Sequence, residues 1–162
     1  MTEKSLLEGK RILAVDDEPD ILETLEALLP VCVVVKASTA DQAKKLMDTQ
    51  SFDIAILDIM GVDGYKLLEI AKKKNIIPVM LTAHALSVES TVKSFKGGAA
   101  SYVPKDEMAK IETFLTDILE GKTKGESGMW RWLDRLGSYY ERKFGRDWQK
   151  EDKDFWRKFP SW

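Results

Sequence analysis

Across residues 1–120, five apolar runs of strand length alternate with stretches of helical period, and this alternation constrains the fold more than any other feature of the chain. The strand-length runs are Arg11–Val15, Val31–Val35, Asp53–Leu57, Ile77–Leu81 and Ser101–Val103. Between them, Pro19 opens a helix that carries Ile21, Leu22, Leu25, Leu28 and Leu29 on one face. Ser38 is placed to cap a helix to about Gln50, with Ala40, Ala43, Leu46 and Met47 inward. A third helix, from Gly64 to Lys74, carries Leu67, Leu68 and Ala71, and a fourth from Ser87 to Lys96 ends at Gly97 and Gly98. Asp106 is placed to cap a fifth that ends near Glu120. The almost wholly apolar, β-branched run Val31–Val35 suits a strand buried on both faces, with Cys32 in the core. The pattern predicts an α/β fold, (βα)5, with helices on both faces of a parallel sheet.

In such sheets the chemistry sits beyond the carboxyl ends of the strands. Here the first strand runs into Asp16, Asp17 and Glu18, the third into Asp58, the fourth into Thr82, and the fifth into Lys105. Clustered carboxylates attract a hard divalent cation with oxygen ligands, typically Mg²⁺. A carboxylate can itself attack a phosphoryl group, and the charge of that group then calls for a cation and donors such as an ammonium and a hydroxyl. Other chemistries find little material. One cysteine, Cys32, allows no intrachain disulfide, and one histidine, His84, excludes any mechanism that needs two. The longest apolar run, Val31–Val35, is too short to cross a bilayer, and residues 1–10 do not read as a secretory signal. A cytoplasmic protein without membrane insertion is expected.

These strand ends resemble the receiver domain of bacterial two-component response regulators, of the stand-alone chemotaxis type. The matching segments are LAVDDEP, DIAILDIM, VDGYKLL, PVMLTAHA and GGAASYVPK, which span roughly residues 9–120. The resemblance implies a doubly wound, flavodoxin-like sheet of order 2-1-3-4-5. It implies that Asp58 accepts a phosphoryl group from a sensor histidine kinase or a histidine phosphotransfer protein. Asp16, Asp17, Asp58 and the backbone carbonyl of Met60 would hold Mg²⁺. Thr82 would be the switch hydroxyl, Lys105 the lysine that pairs with the phosphoryl group, and Tyr102 the aromatic that turns inward when Thr82 moves. Met60 and His84 fall where the lifetime of the phosphorylated state is set. The chain would not be an enzyme that turns over a metabolite; it would catalyse its own phosphorylation and dephosphorylation.

Two departures from the family pattern concern the site. The loop from Asp58 to Gly64 has no proline and is shorter than usual, so Gly61 is expected to take a tight turn with positive φ. Asp106 follows Lys105 where the family usually has a cis proline, and a cis bond before a residue other than proline costs about 2.5–4 kcal/mol. A trans bond is expected.

The remainder of the chain differs in composition. Residues 1–120 hold 14 Lys/Arg and 20 Asp/Glu, a net of −6, while residues 121–162 hold 11 and 7, a net of +4, and all five tryptophans. Residues 121–128 read as a linker. Residues 129–162 read as an aromatic, basic helical extension. Trp130, Leu133, Leu136, Tyr140 and Phe144 fall at helical spacing, as do Trp148, Asp152, Phe155 and Phe159. The helices break near Gly145, with Asp147 placed as a cap. Burial against the receiver or a second copy, docking to a downstream protein, and binding of DNA are the alternatives for this segment. For the whole chain, the alternatives to a phosphoacceptor are a receiver-like scaffold that cannot be phosphorylated and a DNA-binding regulator.

Overall fold

The structure, a computed structural model, describes residues 5–125 and 129–157. Its five strands are β1 (Arg11–Val15), β2 (Val33–Ala37), β3 (Ile54–Asp58), β4 (Ile77–Thr82) and β5 (Ser101–Pro104). The helices between and after them are α1 (Pro19–Leu28), α2 (Ala40–Thr49), α3 (Gly64–Lys73), α4 (Val88–Lys96) and α5 (Ile111–Lys124). All strands are parallel, in the order β2-β1-β3-β4-β5. This is the flavodoxin-like sheet, and its reversal of winding brings the ends of β1 and β3 side by side.

Burial follows position in the sheet. The central β3 is buried throughout, as is β1 beyond Arg11. β2 instead starts two residues later than the apolar run predicts and lies at an edge, with Val33 46% exposed. Its β-branched residues therefore reflect strand propensity rather than burial on two faces. Cys32 is only partly buried, with its thiol on the carbonyl of Leu7 at 3.5 Å.

Local capping decides several boundaries. Thr39, not Ser38, caps α2, with its hydroxyl accepting from Gln42 N at 3.1 Å. Ser38 instead donates its own amide to the Gln42 side chain. Ser87 caps α4, accepting from Ser90 N at 2.9 Å. Asp106 is not a cap, because a 3₁₀ turn over Lys105–Lys110 precedes α5. Residues 121–124, expected to begin a linker, form the last turn of α5, which stops at Gly125 in a left-handed conformation (φ 70°). Among the described residues no peptide bond is cis, so Lys105–Asp106 is trans as expected.

The extension folds back onto the edge of the sheet at β5 and onto α4. Its long helix α6 (Met129–Phe144) ends at Gly145 (φ 92°), and the short α7 (Lys153–Trp156) follows. Asp152, not Asp147, caps α7, accepting from Phe155 N at 3.3 Å. The buried stripe of α6 is Trp132, Leu136 and Tyr140 rather than one that starts at Trp130. Trp130 is 41% exposed, with the Arg131 guanidinium against its ring, while Leu133 and Phe144 flank the stripe. Phe159 and Trp162 lie outside the described residues.

Candidate functional site

The acidic centre is built from the ends of β1 and β3. Asp16 follows β1, held by its amide on the Ala37 carbonyl at 3.1 Å, and is fully buried. Its Oδ1 accepts from Glu18 N at 2.9 Å, which folds the acidic turn immediately before Pro19 starts α1. Carboxylate oxygens of Asp16, Asp17 and Glu18 all lie within 4.8 Å of one another. Asp58, the last residue of β3, is buried as well, and its Oδ2 accepts from Gly61 N at 3.0 Å.

Among the described residues, Lys105 is the cation paired with this cluster. Lys105 extends from just beyond β5, and its Nζ lies 2.9 Å from Asp16 Oδ2, 3.4 Å from Glu18 Oε1 and 3.6 Å from Asp58 Oδ1. Thr82 ends β4 opposite Pro104, and its Oγ1 accepts from Ala85 N at 3.0 Å. The structure thus gathers Asp16, Asp17, Asp58 and Lys105. It keeps the Thr82 hydroxyl engaged with its own loop. Glu18 joins Lys105 as a partner that the resemblance does not assign.

Burial and charge oppose each other here. Burial raises the pKa of Asp16 above its ordinary value of 3.8, as does the nearby Asp58, and the hydrogen bond from Glu18 N and the Lys105 ammonium only partly offset this. For Lys105 burial works against the charge, yet its hydrogen bond to Asp16 and the charges of Asp16, Asp58 and Glu18 outweigh it, so the ammonium is held above its usual 10.5. The sign for Asp16 follows from linkage. A carboxyl raised in the folded state stabilises folding below 3.8 and loses that contribution as pH rises through its folded value. Asp16→Asn is therefore expected to be more stable than the parent at neutral pH. That advantage should shrink as pH falls toward 3.8, as read by urea midpoints in the absence of divalent cations.

The short loop after Asp58 has a specific fit. Positive φ falls on Asp63 (56°), not on Gly61. Gly61 is needed for proximity instead: a Cβ there would fall 2.5 Å from Asp58 Oδ2 and collide with Asp17 Oδ1. A Cβ on Gly64 would likewise lie 2.7 Å from the Cα of Ile59, so the turn closes only with glycine at both positions. The sequence signal for this lay in the spacing, since Gly61 falls three residues past Asp58 in a loop with little length to spare. The side chains of Met60 and His84 are exposed. Tyr102 is completely buried, donating its hydroxyl to Ser90 Oγ at 3.2 Å and to the Ala85 carbonyl at 3.4 Å, and burial raises its pKa. It already lies inward while the Thr82 hydroxyl is held by Ala85 N, so its inward position does not wait on a movement of Thr82 as the resemblance implies.

A five-stranded parallel sheet in this order, with buried acids and one lysine beyond its carboxyl edge, defines a flavodoxin-like signalling domain. The chain belongs to the response regulator receiver domain family, whose family model matches residues 12–116. It is 37% identical over 103 residues to two-component response regulator ARR18 of Arabidopsis thaliana, covering 60% of this chain and 16% of that protein. It is 31% identical over 137 residues to ARR2 of the same plant, covering 81% of this chain and 20% of that protein. The chain thus spans about a sixth to a fifth of the length of these curated relatives. Among solved structures it resembles a CheY-like receiver domain from Methanospirillum hungatei, with a TM-score of 0.65 and 30% identity over 73% of this chain and 99% of that one. A Francisella receiver domain gives a TM-score of 0.62 with 25% identity over 71% and 99%. Among the described residues no helix is long and apolar enough to cross a membrane.

Proposed function

We propose that Asp58 is the phosphoacceptor of a two-component signalling protein, with a histidine kinase or histidine phosphotransfer protein as donor. The observation that carries this reading is Lys105 Nζ, shared between Asp16 at 2.9 Å and Asp58 at 3.6 Å in a largely buried position. An Asp58 carboxylate oxygen forms the new bond to phosphorus as the bond from phosphorus to the donor breaks. The electron pair of that bond leaves with the donor. Lys105 then faces the added negative charge, and the Thr82 hydroxyl exchanges Ala85 N for a phosphoryl oxygen.

The all-oxygen donor set and the crowding of Asp16, Asp17 and Glu18 fit a hard divalent cation. Asp16, Asp17, Asp58 and the Met60 carbonyl would hold Mg²⁺, which would neutralise charge between carboxylates and phosphoryl group. Met60 and His84 are proposed to tune the lifetime of the acyl phosphate, by access and by local polarity. Residues 1–120 would act as the receiver in the cytoplasm, and the face formed by α4, β5 and α5 would carry the signal to a downstream protein. The extension's Arg131 and Arg135 are engaged with Glu120 and Asp117 of α5. That favours a role in contacts within the chain over DNA binding.

The test is intact mass after acetyl phosphate, with and without Mg²⁺, beside Asp58→Asn. One added phosphoryl group that requires both Mg²⁺ and Asp58 is expected. Addition that survives Asp58→Asn would move the acceptor elsewhere. No addition to the parent, together with no response to beryllofluoride, would make the chain a scaffold. A DrrB receiver domain that is 28% identical to this chain (TM-score 0.56, covering 66% of this chain and 97% of that one) is described as beryllofluoride-activated, which recommends that probe.

A further inference from the structure

β5 is an edge strand, yet all four of its residues are buried. An open edge presents unpaired backbone groups to any passing strand. Here the edge is closed by the chain's own extension: Trp132 donates its indole N–H to the Tyr102 carbonyl at 2.7 Å. Beside it, Trp132 meets Phe95 of α4 edge-on at 5.0 Å, and Phe155 of α7 stacks on the same Phe95 at 6.3 Å. A polar rim surrounds these rings. Arg135 forks onto Asp117, Lys96 pairs with Asp152 at 2.9 Å, and the Tyr139 hydroxyl bonds Asp106 at 3.3 Å. An aromatic centre with a charged rim has the anatomy of a specific interface rather than of loose collapse. The basic extension also suits the acidic body on which it lies.

The docked extension also touches the machinery that connects Thr82 to the surface. Thr91 Oγ1 in α4 donates to the Ser87 carbonyl at 2.7 Å. The Tyr140 hydroxyl, 2.6 Å from Thr91 Oγ1, is then the donor of that second, fully buried bond. Ser90, the preceding residue, holds the hydroxyls of Tyr102 (3.2 Å) and Tyr65 (2.8 Å). Tyr102 also reaches the carbonyl of Ala85, whose amide is the group bound to Thr82 Oγ1. A continuous set of hydrogen bonds thus runs from Thr82 through Ala85 and Tyr102 to the first turn of α4. Trp132 and Tyr140 close it from outside.

We propose that the extension is a cis-acting inhibitor of this receiver: α6 and α7 bind the α4–β5–α5 face in the unphosphorylated arrangement, and phosphorylation of Asp58 weakens that binding. The proposal rests on the reading of Asp58 and Thr82 given above. When Thr82 turns its hydroxyl to a phosphoryl group, Ala85 N loses its acceptor. The segment that carries the Ala85 carbonyl and the Ser87 cap must then rearrange. Tyr102 and Thr91 are bonded to that segment, and they are the groups to which Trp132 and Tyr140 are fitted. The extension therefore matches one of two arrangements, and a ligand that prefers one state shifts the equilibrium toward it. By reciprocity the docked extension opposes phosphorylation by the same factor by which phosphorylation opposes docking. In the docked state, the output face is closed to a second copy and to other proteins.

The test is amide hydrogen exchange of the full chain with and without beryllofluoride and Mg²⁺, in the parent, Tyr140→Phe, Trp132→Phe and Asp58→Asn. In the parent, beryllofluoride should protect the loop 59–64 and speed exchange in 129–144 by about fivefold or more. Tyr140→Phe, which loses one oxygen, should speed exchange in α6 without beryllofluoride and tighten beryllofluoride binding by a similar factor. Trp132→Phe, which keeps a ring but loses the indole donor, should shift both in the same direction, and Asp58→Asn should show no response. Protection of 59–64 with unchanged or slower exchange in 129–144 overturns the proposal and leaves the phosphoacceptor reading standing. Unchanged beryllofluoride affinity in both tyrosine and tryptophan variants also overturns it. No response at 59–64 in the parent removes the phosphoacceptor reading and the coupling with it.

Discussion

Gly61→Ala is expected to lower the rate of Mg²⁺-dependent phosphorylation by on the order of a hundredfold while the fold survives, which is the scale of loss when reacting groups are displaced by about 1 Å. The added methyl would sit 2.5 Å from Asp58 Oδ2, closer than nonbonded atoms approach, and would also meet Asp17 Oδ1. Either the carboxylates give way or the loop does, and the Gly61 N–H bond to Asp58 at 3.0 Å is strained in both cases. Circular dichroism and a urea midpoint establish that the variant folds, and single-turnover phosphorylation by acetyl phosphate reads the rate. A near-parent rate would show that the loop can open without harm and that Gly61 is dispensable to the site.

Trp132→Ala is expected to destabilise the chain by about 3–5 kcal/mol, and Trp130→Ala by less than about 1 kcal/mol. Trp132 is 2% exposed, edge-on to both Phe95 and Tyr140 at 5.0 and 5.2 Å and stacked on Trp156 at 6.2 Å. Its removal leaves a cavity at the meeting point of receiver and extension. It also leaves the Tyr102 carbonyl without its indole donor. Trp130 is 41% exposed, with the Arg131 guanidinium 5.3 Å from its ring, and so has far less burial to lose. Urea denaturation followed by far-ultraviolet circular dichroism gives both values. Equal, small losses would mean that the extension contributes no stability to the receiver. Larger loss at Trp130 would mean that α6 presents its other face.

The two tryptophans also show where reading the sequence stops. α6 carries Met129, Trp130, Trp132, Leu133, Leu136, Tyr139, Tyr140 and Phe144, an apolar arc wide enough to accept more than one helical phase. Periodicity identifies the helix and its break at Gly145, but the rotation about its axis is fixed by the surface that it meets. Here that surface is Phe95, the Tyr102 carbonyl and Thr91, from 30 to 49 positions away for the contacts that decide it. The same holds for Asp106, which looks like a helix cap in isolation. It instead lies within the 3₁₀ turn Lys105–Lys110 and accepts a hydrogen bond from Tyr139.

The site divides along a similar line. That Asp16, Asp17, Asp58, Thr82 and Lys105 belong together was legible because parallel strands must all end on one side, so residues at strand ends converge whatever the loops do. Their individual geometry was not legible. Nothing local indicates that Lys105 lies closer to Asp16 than to Asp58, or that Glu18 shares it. Gly61 looked like a turn residue, while its actual constraint is the space taken by two carboxylates.

By itself the sequence determined the alternation of strands and helices, the chemical groups at the sheet's carboxyl edge, and the aromatic character of the extension. These depend on periods of two and 3.6 residues and on residue type, which are local properties. Tertiary structure alone decided that β2 is a half-exposed edge, that β5 is an edge closed in cis, and which side of α6 is buried. Those outcomes depend on contacts between residues far apart in the chain, where shape, buried hydrogen bonds and charge must be satisfied together.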